Sequence, residues 1–187
     1  MKSSIVLMGI WLIVYPVAYA QSTYFSRRID YGNFGEYGTG IVETPSGYVI
    51  SGSVVDLSLL FGIGWISLDK NGAVVVKKRM GSPNFGYDSG LYGSMITAQD
   101  GRSYICGTRA DFLGNAELIF YCFSPQGDTL WTRVYGDSLR QNGYQCRRTP
   151  DGGFVLLGRT ETTDPANDFW LIKTDSLGIA QWDRTYR

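Results

Sequence analysis

The sequence of 187 residues contains no histidine. That excludes a serine or cysteine nucleophile activated by imidazole, and it removes the commonest transition-metal ligand. The soft nucleophiles are Cys106, Cys122 and Cys146. None stands in a C-x-x-C pair, so their spacing does not make a zinc site. Paired carboxylates are the remaining route to chemistry, as in the cleavage of a glycosidic bond. Yet Asp69, Asp100, Asp151 and Asp175 each precede a glycine within three residues, where a carboxylate caps turn amides. Asp164 and Asp168 share one segment without the D-x-D-x-D-G loop of a calcium site. No catalytic residue, metal ligand or cofactor is read from the sequence, and the balance leans against an enzyme.

Recognition is the chemistry left. Five segments carry aromatic, acidic, basic and amide side chains together: 54–63, 81–90, 109–116, 136–142 and 160–167. The candidate ligand-binding residues in them are Phe61, Phe85, Tyr87, Asp88, Arg109, Asp111, Phe112, Arg140 and Asn142. Aromatics beside amides and acids suit a glycan or a peptide. Seventeen basic and seventeen acidic residues balance, which gives no electrostatic case for nucleic acid or an anionic membrane.

The elements that must hold these segments come from an internal repeat. Thr44-Pro-Ser-Gly-Tyr-Val-Ile-Ser-Gly52, Ala98-Gln-Asp-Gly-Arg-Ser-Tyr-Ile-Cys-Gly107 and Thr149-Pro-Asp-Gly-Gly-Phe-Val-Leu-Leu-Gly158 end on glycines 55 and 51 residues apart. A second landmark series, Gly72, Gly127 and Gly178, has the same two spacings. Each unit reads as four strands. Strand A covers 38–44, 92–98 and 143–149; strand B 48–53, 103–108 and 153–159; strand C 64–69, 118–124 and 168–174; strand D 73–80, 128–135 and 179–186. Strand B is apolar on both faces, as in the middle of a sheet covered on both sides. In strand D, Val76, Trp131 and Trp182 share one position and read as wedges between units. Lys78, Arg133 and Arg184, two residues on, read as charges protecting an edge strand. Cys106 aligns with Ser51 and Leu157, and Cys122 with Ser67 and Lys173, which suits small strand side chains better than disulfide partners.

The third unit, Thr149–Gly158, then Asp168-Phe-Trp-Leu-Ile-Lys-Thr-Asp-Ser-Leu-Gly178 and Trp182-Asp-Arg-Thr-Tyr186, resembles the propeller-type repeats of secreted bacterial proteins. The resemblance covers about 24–187 and rests on turn and core positions, so it implies architecture more than activity. It implies an all-β fold of three four-stranded antiparallel propeller-like blades, in units of about 33–81, 82–136 and 137–187. Propellers usually have four to eight blades. Three units are therefore expected to form an open arc or a fragment of a larger propeller, with self-association or further blades missing. The family often adds a C-terminal sorting domain, which has no counterpart here. Phe25-Ser-Arg-Arg-Ile-Asp-Tyr31 is similar to a strand D and is expected beside the first unit as the remnant of a preceding blade. The turn Thr174–Gly178 with Trp182 resembles the Asp-box of sialidase propellers, although its D-x-x-G spacing departs from that motif. Within propeller geometry the five recognition segments fall on one face, carried by the B–C and D–A loops.

The chain opens with Lys2, an apolar run from Ile5 to about Ala20 and the A-x-A site Ala18-Tyr19-Ala20. This is the layout of a secretory signal over 1–20, leaving a domain from Gln21 to Arg187 that is secreted, extracellular or on the cell surface, with no membrane insertion after cleavage. The expected function is a binding module. The alternative is a truncated fragment of a propeller enzyme acting on polysaccharide.

Overall fold

The computed structural model describes residues 28–32, 35–55, 61–91, 93–137, 139–161 and 167–187. They form an all-β domain of three antiparallel sheets. The first contains β1 (Gly35–Thr44), β2 (Gly47–Val55), β3 (Phe61–Asp69) and β4 (Val74–Met80), side by side in that order. The second pairs both β5 (Gly86–Asp88) and β6 (Met95–Thr97) with β7 (Ser103–Ala110), then adds β8 (Ala116–Phe123) and β9 (Thr129–Tyr135). The third contains β10 (Gln141–Arg148), β11 (Phe154–Glu161), β12 (Asn167–Thr174) and β13 (Ala180–Tyr186). All twelve strand positions of the repeat are occupied. Strand A of the second unit differs from the single run expected over 92–98. It is split into β5 and β6, because Gly90 and Gly93 turn the backbone left-handed at φ 77° and 82° and carry it out of the ladder. Residues 1–20, expected to be a leader, the first half of Phe25–Tyr31, residues 56–60 and 162–166, and Asp164 among them, lie outside the described residues.

The glycines that mark the repeat have a common physical cause. Strand A is irregular opposite each of them, with register shifts between Gly38 and Gly40 and between Gly143 and Gln145, and the 89–94 excursion in the second sheet. At that point its backbone leans onto strand B. A Cβ on Gly52, Gly107 or Gly158 would lie 2.3, 2.1 or 2.3 Å from the carbonyl oxygen of Tyr37, Asp88 or Asn142. No side chain fits there, and a bulge of this kind re-aims the residues beside it.

The C–D turns are equally regular. In Asp69–Ala73 the Asp69 carboxylate accepts from the amides of Asn71 and Ala73, both at 2.8 Å. Ser124 and Asp175 hold Ser124–Asp128 and Asp175–Ile179 in the same way. Gly72, Gly127 and Gly178 supply the left-handed residue at φ 74°, 78° and 73°.

The sheets stack in chain order. Between the first and second lies a core of Val49, Ile63, Trp65, Tyr87, Met95, Ile105, Ile119, Tyr121 and Phe123. Trp65 is fully buried, and its indole N–H donates across the interface to Ser103 Oγ at 3.0 Å. Between the second and third lies a core of Tyr104, Cys106, Leu118, Phe120, Cys122, Cys146, Phe154, Leu156, Trp170 and Ile172. The strand D wedges behave according to their place in this stack. Val76 and Trp131 are half-buried against the two cores. Trp182, expected to be buried, is 45% exposed, because no described sheet follows the third. The strand D cations also do more than guard an edge: Lys78 pairs with Asp128 in the C–D turn of the next sheet. At the other end of the stack, residues 28–32 lie against the first sheet. The Tyr31 hydroxyl reaches the carbonyls of Trp65 (3.2 Å) and Lys78 (3.0 Å), and its ring fills the space beside Gly64. Strand β12 is paired with β11 and β13 and not with this segment.

Candidate functional site

In each sheet the A–B and C–D turns share one end, so the B–C and D–A connections share the other. At that second end the three sheets meet around two adjoining depressions. One, of about 290 Å³, is lined by Phe61 from the first sheet, by Gly86, Tyr87, Asp88, Thr108, Ala110 and Ala116 from the second, and by Arg140 and Asn142 from the third. The other, of about 240 Å³, is lined by Tyr37, Gly38, Thr39, Ser53, Phe61, Asp88, Gly90 and Leu91. Phe61 and Asp88 line both.

The bulges explain why these side chains converge. Tyr37, Asp88 and Asn142 are equivalent positions, paired with Ser53, Thr108 and Arg159 just above the strand B glycines. Tyr37 thus lines one depression, Asn142 the other, and Asp88 both. Asp88 is exposed and accepts a hydrogen bond from Ser53 Oγ at 3.0 Å. Behind it the hydroxyls of Ser53, Ser89 and Thr39 form a chain, 3.3 Å and 2.7 Å from one to the next. Asn142 is held on both sides: its carbonyl accepts from Arg159 Nε at 2.9 Å and its amide faces Thr108 Oγ1 at 3.4 Å. Arg140 stands at the rim, 3.7 Å from Glu161. The Phe61 ring is 45% exposed, an apolar surface beside a carboxylate.

Five of the nine residues expected from the sequence therefore come together: Phe61, Tyr87, Asp88, Arg140 and Asn142. Phe85 supports Tyr87 edge-on, with ring centroids 6.3 Å apart, and carries the Arg109 guanidinium over its face at 4.7 Å. Arg109 is also bound to Glu117 at 2.7 Å, so its charge is engaged within the second sheet. Asp111 and Phe112 belong to a B–C turn and line neither depression. The Asp111 carboxylate accepts from the amides of Leu113 and Asn115 and from the Asn115 side chain, which hold its pKa below the usual carboxylate range. Its D-x-x-G spacing to Gly114 is that of Asp69 and Asp175, and that signal assigns it to a turn. Tyr37, Thr39 and Ser53 were not singled out from the sequence. The available signal was register: each stands on or beside the bulge opposite Gly52.

Chemically the lining offers an aromatic face, one carboxylate, hydroxyls and a cation. Asp88 is the single carboxylate among the lining residues of these two depressions. The three thiols are in the core and not at this opening. Burial pushes Cys106 well above the ordinary thiol value and Cys146 up to about 12. Asp168 is buried and accepts from Arg187 Nε at 3.2 Å. Among the described residues there is no cluster of three or more acidic or cysteine side chains placed to hold a metal ion. Comparison with protein-family models and with curated proteins finds no match.

Proposed function

We propose that this chain is an exported binding module of the β-propeller type, taking a glycan in the paired depressions around Phe61 and Asp88. The observation that carries the reading is the placement of three equivalent residues beside the strand A irregularities, Tyr37, Asp88 and Asn142, around two adjoining depressions that share Phe61 and Asp88. Concave sites that pair apolar faces with a few fixed polar groups are where small ligands bind. The exposed Phe61 ring suits the apolar face of a sugar, and Asp88 with its hydroxyl chain suits sugar hydroxyls. The repeat of strand order A-B-C-D, the stacking of sheets in chain order and the strand B glycines support the propeller reading. The leader-like segment over 1–20 supports export to the cell surface or beyond.

A glycan array followed by titration calorimetry tests this. Phe61→Ala and Asp88→Asn should each weaken binding by about tenfold or more, the scale of a lost buried contact. Binding left unchanged by both variants, or no glycan bound at all, would refute the site. New reducing ends released from a polysaccharide would favour the enzyme reading instead.

A further inference from the structure

The outer face of the third sheet repeats a surface that the other two sheets bury. Ile63 and Leu118 are fully buried against the following sheet, while their counterpart Phe169 is 68% exposed. Trp65 and Phe120 are fully buried, while Leu171 is half-buried. Val76 and Trp131 pack on the next sheet, while Trp182 does not. The outer face of the first sheet is the complementary case. Ile41 is 66% exposed where its counterparts Met95 and Cys146 are 4% and 1% exposed under the preceding sheet.

Two polar contacts cross the internal interfaces, one at each, and the residues of the third sheet equivalent to their donors have no neighbouring described sheet to meet. Lys78 pairs with Asp128 in the C–D turn of the next sheet. Arg133 lies on the next turn in turn: a Cβ on Gly178 would meet Arg133 Cγ at 3.0 Å, and Asp175 caps that turn. Arg184 stands at the same position, and the equivalent turn of the first sheet is Asp69–Ala73, whose carboxylate is Asp69 at the place of Ser124. Likewise the Tyr135 hydroxyl donates to the Gly178 carbonyl at 2.6 Å, and Tyr186 is its exposed counterpart.

We propose that a second copy of this chain docks the outer face of its first sheet onto the outer face of the third sheet, repeating the interfaces inside the chain. Phe169, Leu171 and Trp182 go under the incoming sheet, Arg184 meets the Asp69 turn, and the Tyr186 hydroxyl donates to the Gly72 carbonyl. Phe169, Trp182 and Tyr186 alone bring roughly 300 Å² to an interface that needs about 800 Å² per partner. The contact is head-to-tail, so the two copies use different faces. The receiving face carries one obstacle. Tyr31 shares a depression with Gly64 and Ile66, as Tyr135 does with Trp170 and Ile172 at the equivalent place. Tyr31 therefore fills the depression that the incoming Tyr186 enters, with its hydroxyl on the Trp65 and Lys78 carbonyls, and has to be displaced. This inference stands on the packing of the sheets and is independent of the glycan site.

Sedimentation velocity on the purified chain, from about 1 to 100 µM, tests it. The natural sequence should self-associate. Ile41→Glu and Phe169→Glu should each weaken association by about tenfold or more, since each puts a charge into one apolar face. An equimolar mixture of the two variants should recover association, because each still has the face the other lacks. Trp182→Arg replaces Phe169→Glu if that variant melts early. Tyr31→Ala should tighten association. A natural chain that stays monomeric throughout would overturn the proposal and leave the face to another occupant. A mixture that fails to associate would show like faces pairing and would also overturn it.

Discussion

A single added methyl group separates two roles of glycine in this chain. Gly127 and Gly152 both have left-handed backbone, with φ 78° and 84°. A Cβ on Gly127 would lie 2.5 Å from the Trp65 ring of the preceding sheet, whereas a Cβ on Gly152 would meet nothing within 4 Å. Gly152→Ala should therefore cost only the backbone strain, about 1–2 kcal/mol. Gly127→Ala adds overpacking against a fully buried ring, and the sum should be about 2–4 kcal/mol. Urea denaturation of the two variants measures the difference. Equal losses would show that the turn of the second sheet does not press on Trp65. At this scale the sequence was legible wherever a residue serves its own turn, as Asp69 and Asp175 do. It was not legible for Tyr37, whose place in the site depends on a bulge opposite a glycine fifteen residues away.

At the scale of the element, the hairpins are held by carboxylates that accept from their own turns. Asp151 accepts from Thr149 and from the Gly153 amide, and pairs with Lys173 at 2.8 Å. The Lys173 contact, followed by those from Thr149 and Gly153, holds its pKa well below the usual carboxylate range. Asp100 and Asp137 are lowered by similar turn contacts, with Arg102 first for the one and the Leu139 amide first for the other. A group lowered on folding contributes stability above its unfolded value and loses it as the pH falls through its folded value. The melting temperature should therefore begin to fall below about pH 4, where unfolded aspartates take up protons. Asp151→Asn keeps the turn acceptor but removes the titration, so its acid limb should be shallower than that of the natural chain. An acid limb of the same steepness in thermal scans would assign the loss elsewhere. Strand content was readable from the two glycine series. The split of strand A in the second sheet was not, because Gly90 and Gly93 look like ordinary loop glycines until the ladder with β7 shows what they interrupt.

At the scale of the molecule, stability comes from two cores between three sheets, and a wedge matters only where a neighbour covers it. Trp131 packs on Tyr104 and Phe120, with ring centroids 6.0 and 5.5 Å away, and the turn at Gly178 closes over it. Trp182, at the same position one unit later, is 45% exposed. Trp131→Ala should cost about 2–4 kcal/mol, somewhat less than a fully buried tryptophan, because the ring is only half-buried. Trp182→Ala should cost less than about 1 kcal/mol in the monomer, as surface substitutions do. Urea melts at low micromolar protein make the comparison. A loss at Trp182 as large as at Trp131 would mean that something already covers the third sheet under those conditions.

The sequence by itself determined the class, the number of units, most of the strand positions and much of the turn chemistry, because each of these is set by residues close together in the chain. Glycine spacing, apolar strand B and D-x-x-G turns are local signals, and they repeat. What only the tertiary structure decided is which loop residues share an opening and which apolar faces stay uncovered. Phe61, Asp88 and Asn142 lie in three different sheets, so their convergence depends on how the sheets stack. Asp111 has the same residue type as Asp88, yet its carboxylate is consumed by its own turn. Trp131 and Trp182 have the same local pattern, yet among the described residues one has a following sheet and the other does not. Burial is a property of the pair of surfaces, and the second surface is not written next to the first.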